Sequence, residues 1–194
     1  MEYNKLEKLV KNSRCTRRYQ KDIKVDIQDL EELINLARVS SSAKNMQPLK
    51  YILVTQKQAV KKLAKTATWA AHLTDWNQDE DEIPSAFILV LNDTSIDGFA
   101  MFDAGVAFQT ISLAATSKNL DVCALASIDK NLCKELFKIP SSFEILIGIS
   151  IGKANEIIKL VEVENEDTNY YRDTKDTHCV PKRDLNDIIL SRHQ

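Results

Sequence analysis

Apolar and polar residues recur along this chain in two rhythms, one helical and one that of buried strands. Lys5 to Lys11 sets Leu6, Leu9 and Val10 on one side, as a short amphipathic helix does. A longer helix follows Asp26. That residue suits the N-cap, Asp29 and Glu31 favour the first turns, and Leu30, Leu33, Ile34 and Ala37 follow the helical spacing. Ser40 to Pro48 is turn chemistry and ends it. Lys50 to Thr55 predicts a strand. Gln58 to Ala67 predicts a helix with Val60, Leu63, Ala64 and Ala67 inward, and the unbroken apolar run Ala86 to Leu91 a buried central strand. Phe99 to Lys118 is apolar almost all round, the pattern of a helix in a core or a subunit interface. Val122 to Ala126 predicts a strand, Lys130 to Phe137 a short helix, and Glu144 to Ile151 a second buried strand.

Two stretches break the rhythm. Thr68 to Glu82 carries Trp69, His72 and Trp76 ahead of the acidic run Asp79 to Glu82, and is expected to form a mobile flap or loop. Beyond Lys159 the chain turns polar. Residues from about 160 to 194 have no core pattern of their own and are expected to form an arm lying on the main body or on a partner.

The 194 residues fit one domain spanning 1–194. A net charge of -2 argues against nucleic-acid binding by overall phosphate attraction, though a local basic pocket stays open. No run of 18 apolar residues predicts a membrane span, and Met1 to Val10 lacks the apolar segment of a secretory signal. Cys15, Cys123, Cys133 and Cys179 form no C-x-x-C pair and read as reduced thiols of a cytoplasmic protein. A zinc site would have to combine Cys179 and His178 with remote partners, and no metal is expected. The four glycines make neither a dinucleotide fingerprint nor a P-loop, so any nucleotide-like cofactor must be held in some other way.

Arg14, Arg17 and Arg18 stand within five residues and could converge on an anion, or form a solvated basic face. Lys182 and Arg183 offer a second basic element. Ser41, Ser42, Asn45 and Gln47 form a small polar loop suited to the alternating donors and acceptors of a flavin edge, or simply to a helix stop. His72, His178 and His193 are too scattered for a catalytic set, and packing or surface roles suit them better.

These segments together resemble the nitroreductase family, over most of the chain. Asn12 to Tyr19 is similar to that family's N-terminal R-S-x-R-x-[FY] pattern. Leu36-Ala37-Arg38-Val39-Ser40-Ser41-Ser42-Ala43-Lys44-Asn45-Met46-Gln47-Pro48 resembles its LA-x-x-[SA]-P-S-A-x-N-x-Q-P loop. Asp103 to Gln109 is similar to its D-x-G-x-A-x-Q helix, and His178 to Arg183 to a C-terminal phosphate-contact segment. The resemblance implies an α+β, three-layer fold: a central, mostly antiparallel sheet flanked by helices, with an extended C-terminal arm. It also implies a homodimer with FMN at the interface. Arg14, Cys15 and Arg17 would contact the phosphate, with Lys182 and Arg183 approaching from the tail. Ser41, Ser42, Ala43, Asn45 and Gln47 would line the ribityl chain and ring edges, some from the partner. Leu125, Ala126 and Ser127, at a strand end, would present backbone groups near the ring, and the helix from Phe99 would lie in the interface.

The chemistry so implied is ping-pong. NADH or NADPH delivers hydride to the flavin N5, and a small-molecule acceptor such as a nitroaromatic or quinone then takes it, with no acid–base residues required. Trp69, His72 and Trp76 would cover the substrate face, or form a satellite cluster beneath a loop. Two positions depart from the family pattern. Cys15 stands where Ser is usual, a weaker hydrogen-bond donor or else a space filler, and Ser41 stands where Pro is common, loosening the loop. Other readings are a flavin-binding sensor or store without turnover, a colourless interaction domain, or a reductase of activated alkenes or of free flavin.

Overall fold

The computed structural model describes residues 2–73 and 76–194. Helix α1 (Tyr3–Asn12) leads to α2 (Ile27–Ala37), strand β1 (Leu49–Val54), α3 (Lys57–Thr66), β2 (Ala86–Asp93), α4 (Ala100–Ser117), β3 (Asp121–Leu125), α5 (Lys130–Phe137) and β4 (Phe143–Gly152). These strands form one antiparallel sheet in the order β1-β2-β4-β3. Strand β2 is buried on both faces from Ala86 to Leu91, which explains its unbroken apolar run. Successive side chains there alternate between two cores. Ala86, Ile88 and Val90 join one with α2 and α4, while Phe87, Leu89 and Leu91 join another with α3 and Trp69. The fold is thus α+β with helices on both faces of the sheet, as expected.

Asp26 and Asp29 close a reciprocal capping box at the start of α2. Tyr19 is fully buried and gives its hydroxyl a partner in Ser150 Oγ at 2.7 Å, anchoring the arginine-rich segment to β4. Gly152 makes this possible: a Cβ there would come within 2.6 Å of the Tyr19 ring and 3.3 Å of the Ser85 backbone nitrogen.

One expectation needs adjustment, that for the arm. Helix α4, apolar almost all round, is buried on one side only in the single chain. Small residues (Ala100, Ala104, Ala107, Ala114, Ala115) with Ile111 face the core, while Met101 and Phe102 are about two-thirds exposed. The C-terminal arm is not merely extended. Strands β5 (Ile158–Glu162), β6 (Tyr171–Arg172) and β7 (His178–Lys182) form a second sheet, order β5-β7-β6, ahead of the four-residue helix α6 (Leu185–Ile188). The expected flap 68–82 has no long helix or strand, only a 3-10 turn at Glu80–Glu82; Thr74 and Asp75 within it lie outside the described residues. Among the described residues no helix is long and apolar enough to cross a membrane.

Candidate functional site

The arginine-rich segment runs parallel to β3. Cys15 pairs with Val122, and the Thr16 amide donates to the Val122 carbonyl at 3.1 Å. The three arginines do not converge. Arg18 is taken up inside the fold by Glu82 at 2.6 Å and Asp176 at 2.5 Å. Arg14 donates one Nη2 bond to Val10 O, and its buried Nε has no partner. The Arg17 guanidinium sits over the Tyr170 ring, 4.3 Å from the centroid, with Nη1 3.3 Å from His178 Nε2. Between them the Cys15 thiol is pulled down to about 6. A hydrogen bond from Cys123 is the largest cause, with the Ala124 amide and the positive charges of Arg17 and Arg14 adding to it against burial.

Beneath this segment sits a residue that no sequence pattern singles out. Glu156 accepts from the Arg17 amide (2.5 Å), the Arg18 amide (3.2 Å), Thr16 Oγ1 (2.8 Å) and Arg172 Nη2 (2.5 Å). Burial alone would raise its carboxyl; the Arg17 amide, Thr16 and Arg172 outweigh that and hold it below the usual range. His178, fully buried beside it, is pulled down to about 4, first by burial and then by Arg17 and Arg172. It is neutral at pH 7, which is how it can stack on Tyr170 at 5.2 Å and lie against a guanidinium.

The polar loop lies elsewhere. Ser42 Oγ donates to Asp103 Oδ2 at 2.5 Å and the Ala43 amide to Oδ1 at 2.9 Å, while the Gln47 amide donates back to Ser42 Oγ. Asp103, buried in the first turn of α4, is therefore the post on which the loop hangs. Lys44, Asn45 and Gln47 take positive φ angles of 52°, 56° and 52°, tolerable for an isolated residue but costly in a cluster unless the surroundings fix them. Ser41, Ser42 and Gln47 line a cavity of about 250 Å³ with Tyr51, Asp103 and Ala107.

The remaining candidates scatter. Leu125 is buried at the end of β3, Ala126 and Ser127 are exposed, and Ser127 Oγ ties to the Thr68 backbone at 3.0 and 3.2 Å. Trp69 is buried in the core and spends its indole N–H on Ala64 O, which makes it a packing residue in this chain. His72 meets Tyr170 edge-on at 4.8 Å, and the Arg172 guanidinium sits 5.7 Å from the Trp76 ring centroid, so both face the arm. Lys182 and Arg183 are exposed and line a groove with Leu160 to Val163. Lys182 ends β7 four residues beyond His178, roughly 13 Å along a strand, and Arg183 follows it, so within one chain neither is brought to Arg17.

Parallel to β3, then, lies a segment with a spare guanidinium N–H, and under the N-terminus of α4 a fixed polar loop. A family model for nitroreductases matches residues 10–153. The chain belongs to the nitroreductase family. No curated protein matches it. Among solved structures, an FMN-dependent nitroreductase of Clostridium difficile R20291 is similar at 22% identity and TM-score 0.64, over 81% of this chain and 91% of that one. A provisionally named nitroreductase of Bacillus subtilis aligns at 18% identity and TM-score 0.70, over 98% and 100%. A provisionally named NADH oxidase of Clostridium acetobutylicum aligns at 21% identity and TM-score 0.66, over 95% and 99%. As a nitroreductase-family member the chain is an oxidoreductase, and the likeness of fold extends through the second sheet in the two longer alignments.

Proposed function

We propose that this nitroreductase-family chain is an FMN-dependent oxidoreductase whose sites are completed by a second copy of itself. What carries the reading is the placement of the two polar groups along one helix. Ser13 Oγ contacts Ser112 Oγ at 2.6 Å, whereas Ser42 contacts Asp103, so the arginine segment and the polar loop attach to α4 nine residues apart. That is about 13.5 Å of helix rise. The cavity beside the loop, about 250 Å³, is smaller than the roughly 300–1,000 Å³ usual for small-molecule pockets. The exposed Met101 and Phe102 on the same helix form an apolar strip of the kind that marks a subunit interface. A two-fold dimer across α4 would set one chain's loop against its partner's arginine segment.

The residues suit FMN. Arg14 keeps a buried N–H unspent for an anion, and Arg17 would add its charge. Ser41 offers a hydroxyl, and Asn45 and Gln47 side-chain amides, to the ribityl chain and ring edges, with Ala43 alongside as wall. When bound, FMN would supply two-electron chemistry between NADH or NADPH and an acceptor such as a nitroaromatic or quinone. The chain's own part is placement. Asp103 fixes the loop, Glu156 fixes the main chain of Arg17, and the exposed His72 and half-buried Trp76 border the approach. The names of two similar structures, an FMN-dependent nitroreductase and an NADH oxidase, support the cofactor and the reductant.

Titrating the purified protein with FMN, followed by anaerobic NADH and then NADPH, tests this through the visible flavin bands. Saturable binding and bleaching are expected. Bound flavin that stays oxidised with both reductants would point to a store or sensor, and no binding would remove the flavin reading.

A further inference from the structure

Two side chains in the arginine segment's neighbourhood carry chemistry that the proposed reaction does not use. Cys15 pairs across a strand bridge with Val122, and Cys123 is the next residue on β3. With neighbouring strands about 4.8 Å apart and residues about 3.3 Å apart along each, the two Cα atoms stand on the order of 6 Å from one another, inside the range a disulfide spans without backbone movement. Both side chains lie in the same apolar cluster on the α3 and α5 side of the sheet, where Cys123 Sγ faces the Ala124 carbonyl at 3.6 Å. Cys133 and Cys179 lie in other elements, α5 and β7, and all four cysteines are free.

The pair is asymmetric. Cys15 is partly exposed, next to Arg14 and Arg17, and faces the Ala124 amide; these favour the thiolate. Cys123 is 2% exposed and held as the thiol. One residue is thus half-buried with its thiolate favoured, the other fully sheltered and one position along the neighbouring strand.

We infer that Cys15 and Cys123 are a peroxide-responsive dithiol, Cys15 being the sulfur attacked and Cys123 the one that resolves it. In the first step the Cys15 thiolate attacks hydrogen peroxide, an S–O bond forms as the O–O bond breaks, and hydroxide leaves with Cys15 as sulfenic acid. In the second the Cys123 sulfur attacks Cys15 Sγ, its proton leaves with the departing hydroxyl as water, and the disulfide closes. Overall two thiols are oxidised by two electrons and one peroxide is reduced to two waters. The disulfide stops Cys15 at its first oxidation level, ahead of the irreversible sulfinic acid. Because it stands on thiol geometry, this inference holds or fails apart from the flavin reading.

The test uses the full, reduced chain and a small excess of hydrogen peroxide, followed by thiol titration and peptide mapping without reductant. Titratable thiols should fall from the four present by two, and the Cys15 and Cys123 peptides should be joined. In Cys123→Ser the disulfide should be absent, with Cys15 trapped by a 1,3-dione as sulfenic acid and then advancing to sulfinic acid; Cys123→Ala serves if the serine form does not fold. Cys15→Ser should keep all three of its thiols. Wild-type protein in which Cys15 reaches sulfinic acid while Cys123 stays free, or in which Cys15 joins Cys133 or Cys179, would overturn the proposal.

Discussion

The two sheets of this molecule are built on opposite principles. The four-stranded sheet is held by apolar burial on both faces: Ile88, Leu89, Ile145, Ile149 and Ile151 are wholly inaccessible, and its layers are continuous. The three-stranded sheet buries little beyond His178, Cys179 and Pro181. It is fastened instead by a few directional contacts, Arg172 on Glu156, His178 on Arg17 and Tyr170 on the Arg17 guanidinium. Apolar packing is non-directional and tolerant, so it makes a platform. Buried polar contacts fail sharply when one partner is lost, so they fix a geometry. Here the second kind lies under the arginine segment, where the proposed phosphate contacts need fixing.

The comparison breaks most severely in the first sheet. Ile149→Ala, in the middle of β4, should cost about 2–5 kcal/mol of global stability, read by chemical denaturation as a lower midpoint with an unchanged slope. Glu156→Ala should cost less overall, about 1–3 kcal/mol, because the arm can let go. Its signature is local: amide hydrogen exchange should speed up across residues 158–182 before the main sheet is affected. Uniform destabilisation of both sheets would show that they are a single cooperative unit. Asp103→Ala leaves Ser42 and the Ala43 amide without their acceptor and frees a loop held at positive φ; a loss of about 1–2 kcal/mol corresponds to roughly 5–30-fold weaker FMN binding, measured by fluorescence titration, with thermal stability little changed.

The remaining effect is a pH dependence confined to the acid side. His178 is held down to about 4 in the fold, against an ordinary value near 6.5. The unfolded chain therefore takes up this proton first, and stability contributed by the neutral ring is present above pH 6.5 and lost as pH falls towards 4. The slope is at most about 1.4 kcal/mol per pH unit. Glu156, held below its ordinary range, pushes the same way at still lower pH. Denaturation midpoints of wild type and His178→Phe between pH 7 and 4.5 check this: the variant should have the flatter profile.

The same contrast decides what was legible in the sequence. The elements of the main sheet were readable to within a residue or two, because their burial imposes period 2 or period 3.6 on the apolar positions. The arm's strands were not: β6 has two residues, and the contacts that hold the sheet are between single residues far apart in the chain. For the same reason Glu156 carries no individual signal, and Asp103 only that of its place at the head of the D-x-G-x-A-x-Q resemblance. An acidic residue acquires its meaning from the amides and hydroxyls it meets, and those are 138 to 140 positions away for Glu156 and 60 for the Ala43 amide on Asp103. For His178 the sequence leaves open a surface or a packing role; it is buried, and it packs against Arg17. Trp69 is open in the sequence between a substrate cover and a packed cluster beneath a loop, because aromatic residues in a loop look alike until their burial is known; in the single chain it is buried.

The most direct test of the two-chain site is subunit complementation. One variant, Arg14→Ala with Arg17→Ala, damages the phosphate side; another, Ser42→Ala with Asn45→Ala, damages the loop side. Each alone should bind little flavin. Co-expressed with different tags and purified as the mixed dimer, they should regain one FMN per dimer, since one of the two sites would draw both halves from undamaged segments. A mixed dimer that binds no more flavin than its parents would place both halves within one chain and contradict the account.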